Sequence, residues 1–242
     1  MKDVAIITYT TSKYRDVWPM HFGQLSMHAS ELKSYAFSDE DSKDIWNYEN
    51  HQLITYSEEE PYWKQYTGCL ESVQENFVIY SQEDFILFSK IDYESISRYR
   101  DFLSSTNYDY VRLIRCGYQT PLDHHVKDDI YEVHMNTSDA FSMQATLWKK
   151  SSIKKLYEHV KSQKWLESEA WNAGARDIGI KGTLIYNNEP KIGAFHYDSK
   201  VYPYVCTAIN RGKWNVDQYP AVMKELFEQY NIDPSVRGIR KR

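Results

Sequence analysis

Glycine is short in this sequence: 9 among 242 residues, where average usage gives roughly 17. That shortage excludes collagen-like and Gly/Ser low-complexity chains, and it argues against proteins that cradle phosphates in several Gly-rich loops. Cysteine is scarcer still. Cys69, Cys116 and Cys206 are odd in number, far apart and without a CxxC pair, so they form neither a disulfide framework nor a zinc knuckle and read as reduced thiols in a cytosol-like compartment. Positive charge is also lacking: 29 Lys and Arg stand against 34 Asp and Glu, a net charge of −5. Nucleic acid as the main partner would need a basic face. No apolar run approaches the roughly 18 residues of a membrane span. The start, Met1-Lys2-Asp3-Val4-Ala5-Ile6-Ile7, turns polar too early for a signal peptide. A soluble, cytoplasmic protein is expected, in which the Asn136-Thr137-Ser138 sequon is incidental.

Aromatic residues are abundant, with 21 Tyr, 9 Phe and 7 Trp. They rule out a disordered chain and suit a rigid protein with sugar-like or planar polar ligands. No internal repeat or linker divides the chain, so a single domain over residues 1–242 with a C-terminal elaboration is expected. Apolar runs predict strands at Val4–Tyr9, Ser34–Ser38, Gln52–Tyr56 and Phe77–Tyr80, with further extended segments at Tyr110–Arg115 and Gly182–Tyr186. Helices are predicted at Tyr62–Gln74, Tyr93–Leu103, Ser152–Val160, Trp165–Ala175 and Val216–Tyr230. Strand and helix alternate through the first half, which favours an α/β sheet of mainly parallel strands. Ligands of such sheets sit beyond the carboxyl ends of the strands. That placement draws attention to residues 8–11, to Ser38-Asp39 and to Gln82-Glu83-Asp84.

Several enzyme classes are missing their signatures. There is no GxGxxG, GxSxG, HExxH or kinase set. Gly174 and Gly179 have P-loop spacing, but Ile180 stands where the lysine is needed. His124-His125 with His134 matches no common metal-ligand spacing. The strongest local signal is Gln82-Glu83-Asp84, where a buried strand delivers two adjacent carboxylates to its end. A hard divalent cation or ribose hydroxyls could be held there; a solvated acidic loop is the competing reading.

The strand followed by acids resembles the DxD motif of GT-A-type glycosyltransferases. The likeness extends to small GT-A-like proteins of bacterial and viral polysaccharide synthesis. Pieces of that pattern run in order along the chain: Lys13-Tyr14-Arg15-Asp16-Val17-Trp18-Pro19 with Phe22, then Gln82-Glu83-Asp84, Arg112-Leu113, Gln144-Ala145-Thr146-Leu147-Trp148-Lys149, an acidic Trp/Glu helix over 165–176, and Gly212-Lys213-Trp214. The resemblance implies a GT-A-like, Rossmann-like sheet, mostly parallel and flanked by helices. It implies a donor-binding half over about 1–115 and an acceptor-binding half over 116–242. The activity it implies is transfer of a sugar from a nucleotide-diphosphate donor to a saccharide, glycan or lipid-linked glycan acceptor, in surface polysaccharide or glycan synthesis. A nucleotidyltransferase and a non-catalytic glycan-binding protein on the same fold remain the alternatives. The Thr10-Thr11-Ser12-Lys13 turn has no glycine, which disfavours the first of these.

On that resemblance, Thr8, Tyr9 and Thr10 line the base and ribose slot. Asp39 accepts from the base or ribose, and Gln82, Glu83 and Asp84 meet the donor. Asp84 holds a divalent cation, Mn²⁺ or Mg²⁺, with His196 as a second ligand. Gln82 stands where the first aspartate of DxD belongs, a departure that bears on both the ribose contact and the metal. Glu169 is the expected base for the acceptor hydroxyl, with Glu167 and Asp198 as alternatives. Trp148, Trp165 and Trp171 are candidates for sugar stacking or for core. The lysines at 149–150 and 154–155, with the basic C-terminal tail, would touch phosphate on a lipid carrier or on the donor, or simply form a solvated face.

Overall fold

The computed structural model describes residues 2–116, 122–137, 140–164, 168–193 and 196–240, with only the backbone of 168–170. The chain begins β1 (Val4–Tyr9), α1 (Trp18–His28), β2 (Lys33–Asp39), β3 (Gln52–Tyr56), α2 (Tyr62–Glu71), β4 (Phe77–Gln82), β5 (Ile86–Leu87), α3 (Tyr93–Ser105) and β6 (Tyr110–Arg112). It continues through a hairpin, β7 (His125–Lys127) and β8 (Ile130–Glu132), then β9 (Thr146–Lys149), α4 (Lys150–Val160), α5 (Ser168–Asp177) and β10 (Gly182–Ile185). The C-terminal part holds β11 (Tyr204–Val205), β12 (Ile209–Asn210), β13 (Lys213–Trp214), α6 (Pro220–Gln229) and α7 (Pro234–Arg237).

Among the described residues, nine strands form one sheet in the order β3-β2-β1-β4-β9-β6-β10-β8-β7. β1 pairs in parallel with β2 and β4, and β2 with β3. Only β9 and β8 run against the rest. This mostly parallel sheet, with one reversed strand inserted beyond β4, is the GT-A-like, Rossmann-like arrangement expected from the sequence. β1 and β4 are buried along almost their whole length because helices cover both faces, which is why each reads as an unbroken apolar run. Alternation along β1 shows the two layers: Thr8 Oγ1 lies 3.0 Å from His21 Nε2 of α1, while the next ring, Tyr9, packs against Tyr62 and Tyr66 of α2.

The expected C-terminal elaboration folds back onto α1. Val17, Met20, Val205, Trp214, Met223 and Leu226 form a second apolar cluster beside the main core. Gly23 makes this docking feasible, since a Cβ there would meet the Tyr230 ring at 2.5 Å.

The elements differ from expectation at a few points. α6 starts at Pro220, four residues after the predicted Val216, because proline fits the first turn of a helix and interrupts it elsewhere. α2 stops at Glu71, and the strand predicted to Arg115 stops at Arg112. Helix α1 and strand β9 were not foreseen. The first carries Pro19 and Gly23, and the second is four residues long and ends in polar Thr146 and Lys149.

Candidate functional site

The register of the central strands fixes the site. Tyr9 pairs directly with Gln82 at the carboxyl ends of β1 and β4. The chain therefore leaves both strands on the same rim, with Thr10-Thr11 beside Glu83-Asp84. A cleft of about 780 Å³ opens there, within the range of about 300–1,000 Å³ usual for small-molecule sites. Its floor is Gln82, Glu83, Asp84 and Thr10; Tyr9, Tyr56, Glu58 and Gln65 form one side. Lys13 and Tyr14 stand above it. Opposite are Met143, Gln144 and the β12–β13 turn, with Ile209, Arg211 and Gly212.

Asp84 is 8% exposed, and its Oδ1 has no hydrogen-bond partner. Burial pushes the carboxyls of both Glu83 and Asp84 up from their usual range, and the charge on Asp84 raises Glu83 further. Two neighbouring carboxyls in a shared recess, one with an orphaned oxygen, make a donor set that a hard divalent cation would satisfy. The residues present therefore fit the cation that the resemblance implies. Above them, the exposed Arg211 adopts the left-handed conformation, φ 51°, followed by Gly212 at φ 75°. That turn brings Arg211 to the cleft lining, while the charge of Arg237 acts to lower the pKa of Glu83. Lys13 Nζ donates to Glu58 Oε1 at 3.0 Å.

The other side is an aromatic ladder. The rings of Tyr9 and Tyr56 stack at 5.1 Å with an interplanar angle of 2°. Tyr9 Oη donates to Gln65 Oε1 at 2.6 Å, and Tyr56 Oη to the Thr10 carbonyl at 2.7 Å. Both hydroxyls are thereby tied down, and burial raises the Tyr9 phenol far above its ordinary value. The two residues line the cleft as a neutral aromatic wall.

The sequence-predicted residues fall into three groups. Tyr9, Thr10, Gln82, Glu83 and Asp84 line the cleft together. Thr8, Asp39 and His196 do not line it. Thr8 is buried against His21. Asp39 Oδ2 accepts from Thr11 Oγ1 and, at 2.8 Å, from the backbone N–H of Ser12, while Oδ1 accepts from Ser42 Oγ at 3.0 Å. Its carboxylate shapes the turn after β1, off the cleft lining. His196 stacks on Tyr219, its Nε2 3.4 Å from that hydroxyl, and burial lowers its pKa to about 4. Asp198 Oδ1 accepts from the Ser199 N–H at 2.9 Å, off the cleft lining. Glu167 and Trp165 lie outside the described residues, and of Glu169 only the backbone, in α5, is described. Trp148 and Trp171 are core.

Tyr56, Glu58, Gln65 and Arg211 were not anticipated. They reach the cleft through tertiary packing, and only the position of Tyr56 at a strand's carboxyl end could have marked it. The Lys-Tyr-x-Asp-x-Trp-Pro segment is explained by its contacts. Trp18 Nε1 donates to Thr10 Oγ1 at 2.8 Å, and Asp16 accepts from Arg237.

No family model and no curated protein sequence matches this chain. Among solved structures it is similar to 4-diphosphocytidyl-2C-methyl-D-erythritol synthase from Anaerococcus prevotii, with 15% identity, TM-score 0.48, and coverage of 76% of this chain and 86% of that one. A cytidylyltransferase from Leptospira borgpetersenii gives 11% identity and TM-score 0.48, covering 97% and 98%. S. aureus TarS 1–349 in complex with UDP gives 12% identity and TM-score 0.49, covering 97% of this chain and 67% of that one. Among the described residues, no helix is long and apolar enough to cross a membrane.

Proposed function

We propose that this chain is a glycosyltransferase that holds a nucleotide-sugar in the cleft and passes the sugar to a hydroxyl of a saccharide, glycan or lipid-linked glycan. The observation that carries this reading is the buried Asp84 carboxylate, whose Oδ1 has no hydrogen-bond partner, beside Glu83 and across from the Tyr9–Tyr56 pair at the carboxyl ends of β1 and β4. The tyrosine wall receives the base. Gln82 and Glu83 face the ribose, with Glu83 taking the contact that an aspartate at position 82 would have made. Asp84 and Glu83 hold a divalent cation, Mn²⁺ or Mg²⁺, which when bound neutralises charge on the diphosphate. Arg211 and Lys13 meet the outer phosphate oxygens as charge develops on the leaving group. The acceptor oxygen forms its bond to the anomeric carbon as the bond from that carbon to the diphosphate oxygen breaks. The hydroxyl proton passes to a carboxylate, for which Glu169 is proposed, with Glu167 and Asp198 as alternatives. His196 stands against Tyr219, off the cleft lining, and is given no part in the transfer. Residues up to about 115 supply most of the donor site, Arg211 reaches it from the C-terminal part, and the remainder of 116–242 is proposed to receive the acceptor.

A nucleotidyltransferase is the second reading. Against it stands the turn after β1, whose backbone donors are already used: Ser12 N–H to Asp39, Tyr14 N–H to the Thr11 carbonyl and Arg15 N–H to the Ser12 carbonyl. Little backbone is left there to wrap a triphosphate. One screen separates the two. Sugar transfer or hydrolysis releases nucleoside diphosphate from a nucleotide-sugar, whereas nucleotidyl transfer releases pyrophosphate from a nucleoside triphosphate plus a sugar phosphate. Release of nucleoside diphosphate with Mn²⁺ supports the first reading; pyrophosphate release alone replaces it with the second.

A further inference from the structure

The β7–β8 hairpin gathers a second set of ligating side chains, independent of the cleft. Asp123, His124 and His134 each offer one ligand atom, and these atoms lie within 4.8 Å of one another. His134 Nε2 is 2.9 Å from Asp123 Oδ1, and the two imidazoles meet edge to face with centroids 4.7 Å apart. The hairpin creates this proximity. His124 immediately precedes β7 and His134 follows β8 by two residues, and the Glu132 N–H donates to the His124 carbonyl at 2.9 Å. His125, the sequence neighbour, is not part of the group, since its Nε2 lies 2.7 Å from the Asp128 carbonyl at the hairpin's other end. A carboxylate thus takes the place that His125 holds in the sequence grouping.

The position is well separated from the donor cleft. β8 runs against β10, and β10 runs parallel to β6. The exit of β8 therefore lies on the amino-end rim of the parallel strands, while the cleft lies on the carboxyl-end rim. The Val133 N–H donates to the carbonyl of Gly182, at the start of β10, in agreement with that placement.

We infer that Asp123, His124 and His134 form a binding site for a borderline divalent cation of the Zn²⁺ class. Two imidazoles and one carboxylate suit zinc, with water completing the shell, and do not suit Mg²⁺, which prefers oxygen ligands. Ligands at about 2.0–2.1 Å from zinc stand roughly 3.3 Å apart in a tetrahedron, so the Asp123–His134 pair is already close to that spacing. His134 and Asp123 side chains are 33% and 59% exposed, leaving them free to turn inward and leaving the outer positions open to water. The bound cation fastens the segment entering β7 to the turn leaving β8.

The test is calorimetric titration of ZnCl₂ into tag-free, chelator-stripped full-length protein, compared with Asp84→Asn and with His124→Ala/His134→Ala. The expected result is one saturable equivalent of zinc that persists in Asp84→Asn, is lost in the double histidine variant and is not displaced by equimolar Mg²⁺. Cobalt should give a visible ligand-field spectrum in the wild type and lose it in the milder single variants Asp123→Asn and His134→Gln, whose folding is checked by circular dichroism. Absence of saturable zinc, or zinc binding unchanged in folded histidine variants, overturns the inference.

Discussion

Asp16 and Arg237, 221 residues apart in sequence, meet through two hydrogen bonds: Arg237 Nε donates to Asp16 Oδ2 at 2.8 Å, and a second guanidinium nitrogen to Oδ1. The same guanidinium lies over the Tyr14 ring at 4.8 Å. The C-terminal segment is thereby tied to the loop that roofs the cleft, and Tyr14 is pressed into place as part of its lining.

Arg237→Ala should cost roughly 1–2 kcal/mol, since it removes a two-point charged contact and a cation–π contact at a site only partly open to water. Each kcal/mol corresponds to about 2–4 °C in a chain of this size. Arg237→Lys should recover little, because an ammonium cannot make the forked contact. A melting temperature unchanged in Arg237→Ala would show that the tie has no structural weight.

The Glu83–Asp84 pair predicts a pH dependence of definite sign. In the unfolded chain both acids titrate near their ordinary values, about 4. In the folded protein burial raises them, so between those values the native state binds more protons than the unfolded state. Stability must then fall as pH rises through that window. Asp84→Asn removes the ionisable oxygen pair. It should melt about 2–4 °C above the wild type at pH 8, the equivalent of roughly 1 kcal/mol, and the difference should vanish by pH 4. Thermal denaturation across pH, without divalent cations, measures this directly.

Buried histidines set the opposite limb. Burial lowers His21 to about 3 and His196 to about 4, while both sit near 6.5 in the unfolded chain. His28 and His51 are lowered by burial as well. The unfolded state binds the extra protons here, so stability should decline as pH falls from about 6.5 toward 4. His196→Gln should flatten part of that decline. An unaltered acid limb in this variant would mean that His196 is not held neutral by its surroundings.

Tyr9→Ala should weaken nucleoside diphosphate binding by about 1–3 kcal/mol, the usual worth of an aromatic platform for a base. Tyr9→Phe should stay close to wild type, since the Tyr9 hydroxyl is already bonded to Gln65. Loss of affinity in the Phe variant as large as in the Ala variant would move the base elsewhere.

Much of this architecture was legible in the sequence because the central strands are buried on both faces and so read as continuous apolar runs. β1 and β4 announced themselves in that way, and their carboxyl ends located the cleft floor at Gln82-Glu83-Asp84. Strands of two to four residues, such as β9, β12 and β13, carry too little pattern to be read. Asp39 sits at a strand end like Asp84, yet its carboxylate serves the Thr11-Ser12 turn, a demand visible only once the backbone donors of that turn are placed. Gln65 and Arg211 come to the cleft from a helix and a hairpin with no local signature. Asp123 and His134 are joined by a hairpin that the spacing of the histidines did not suggest.

The central claim is that Asp84 anchors a cation-bridged diphosphate in the cleft. Calorimetric titration of nucleoside diphosphates, UDP, GDP, CDP and ADP in turn, into wild type and Asp84→Asn with and without Mn²⁺ tests it most directly. The account predicts saturable binding of at least one of them by the wild type, strengthened by Mn²⁺, and loss of that strengthening in a folded Asp84→Asn. Binding of none of the four, or identical Mn²⁺-dependent binding in both proteins, would contradict it.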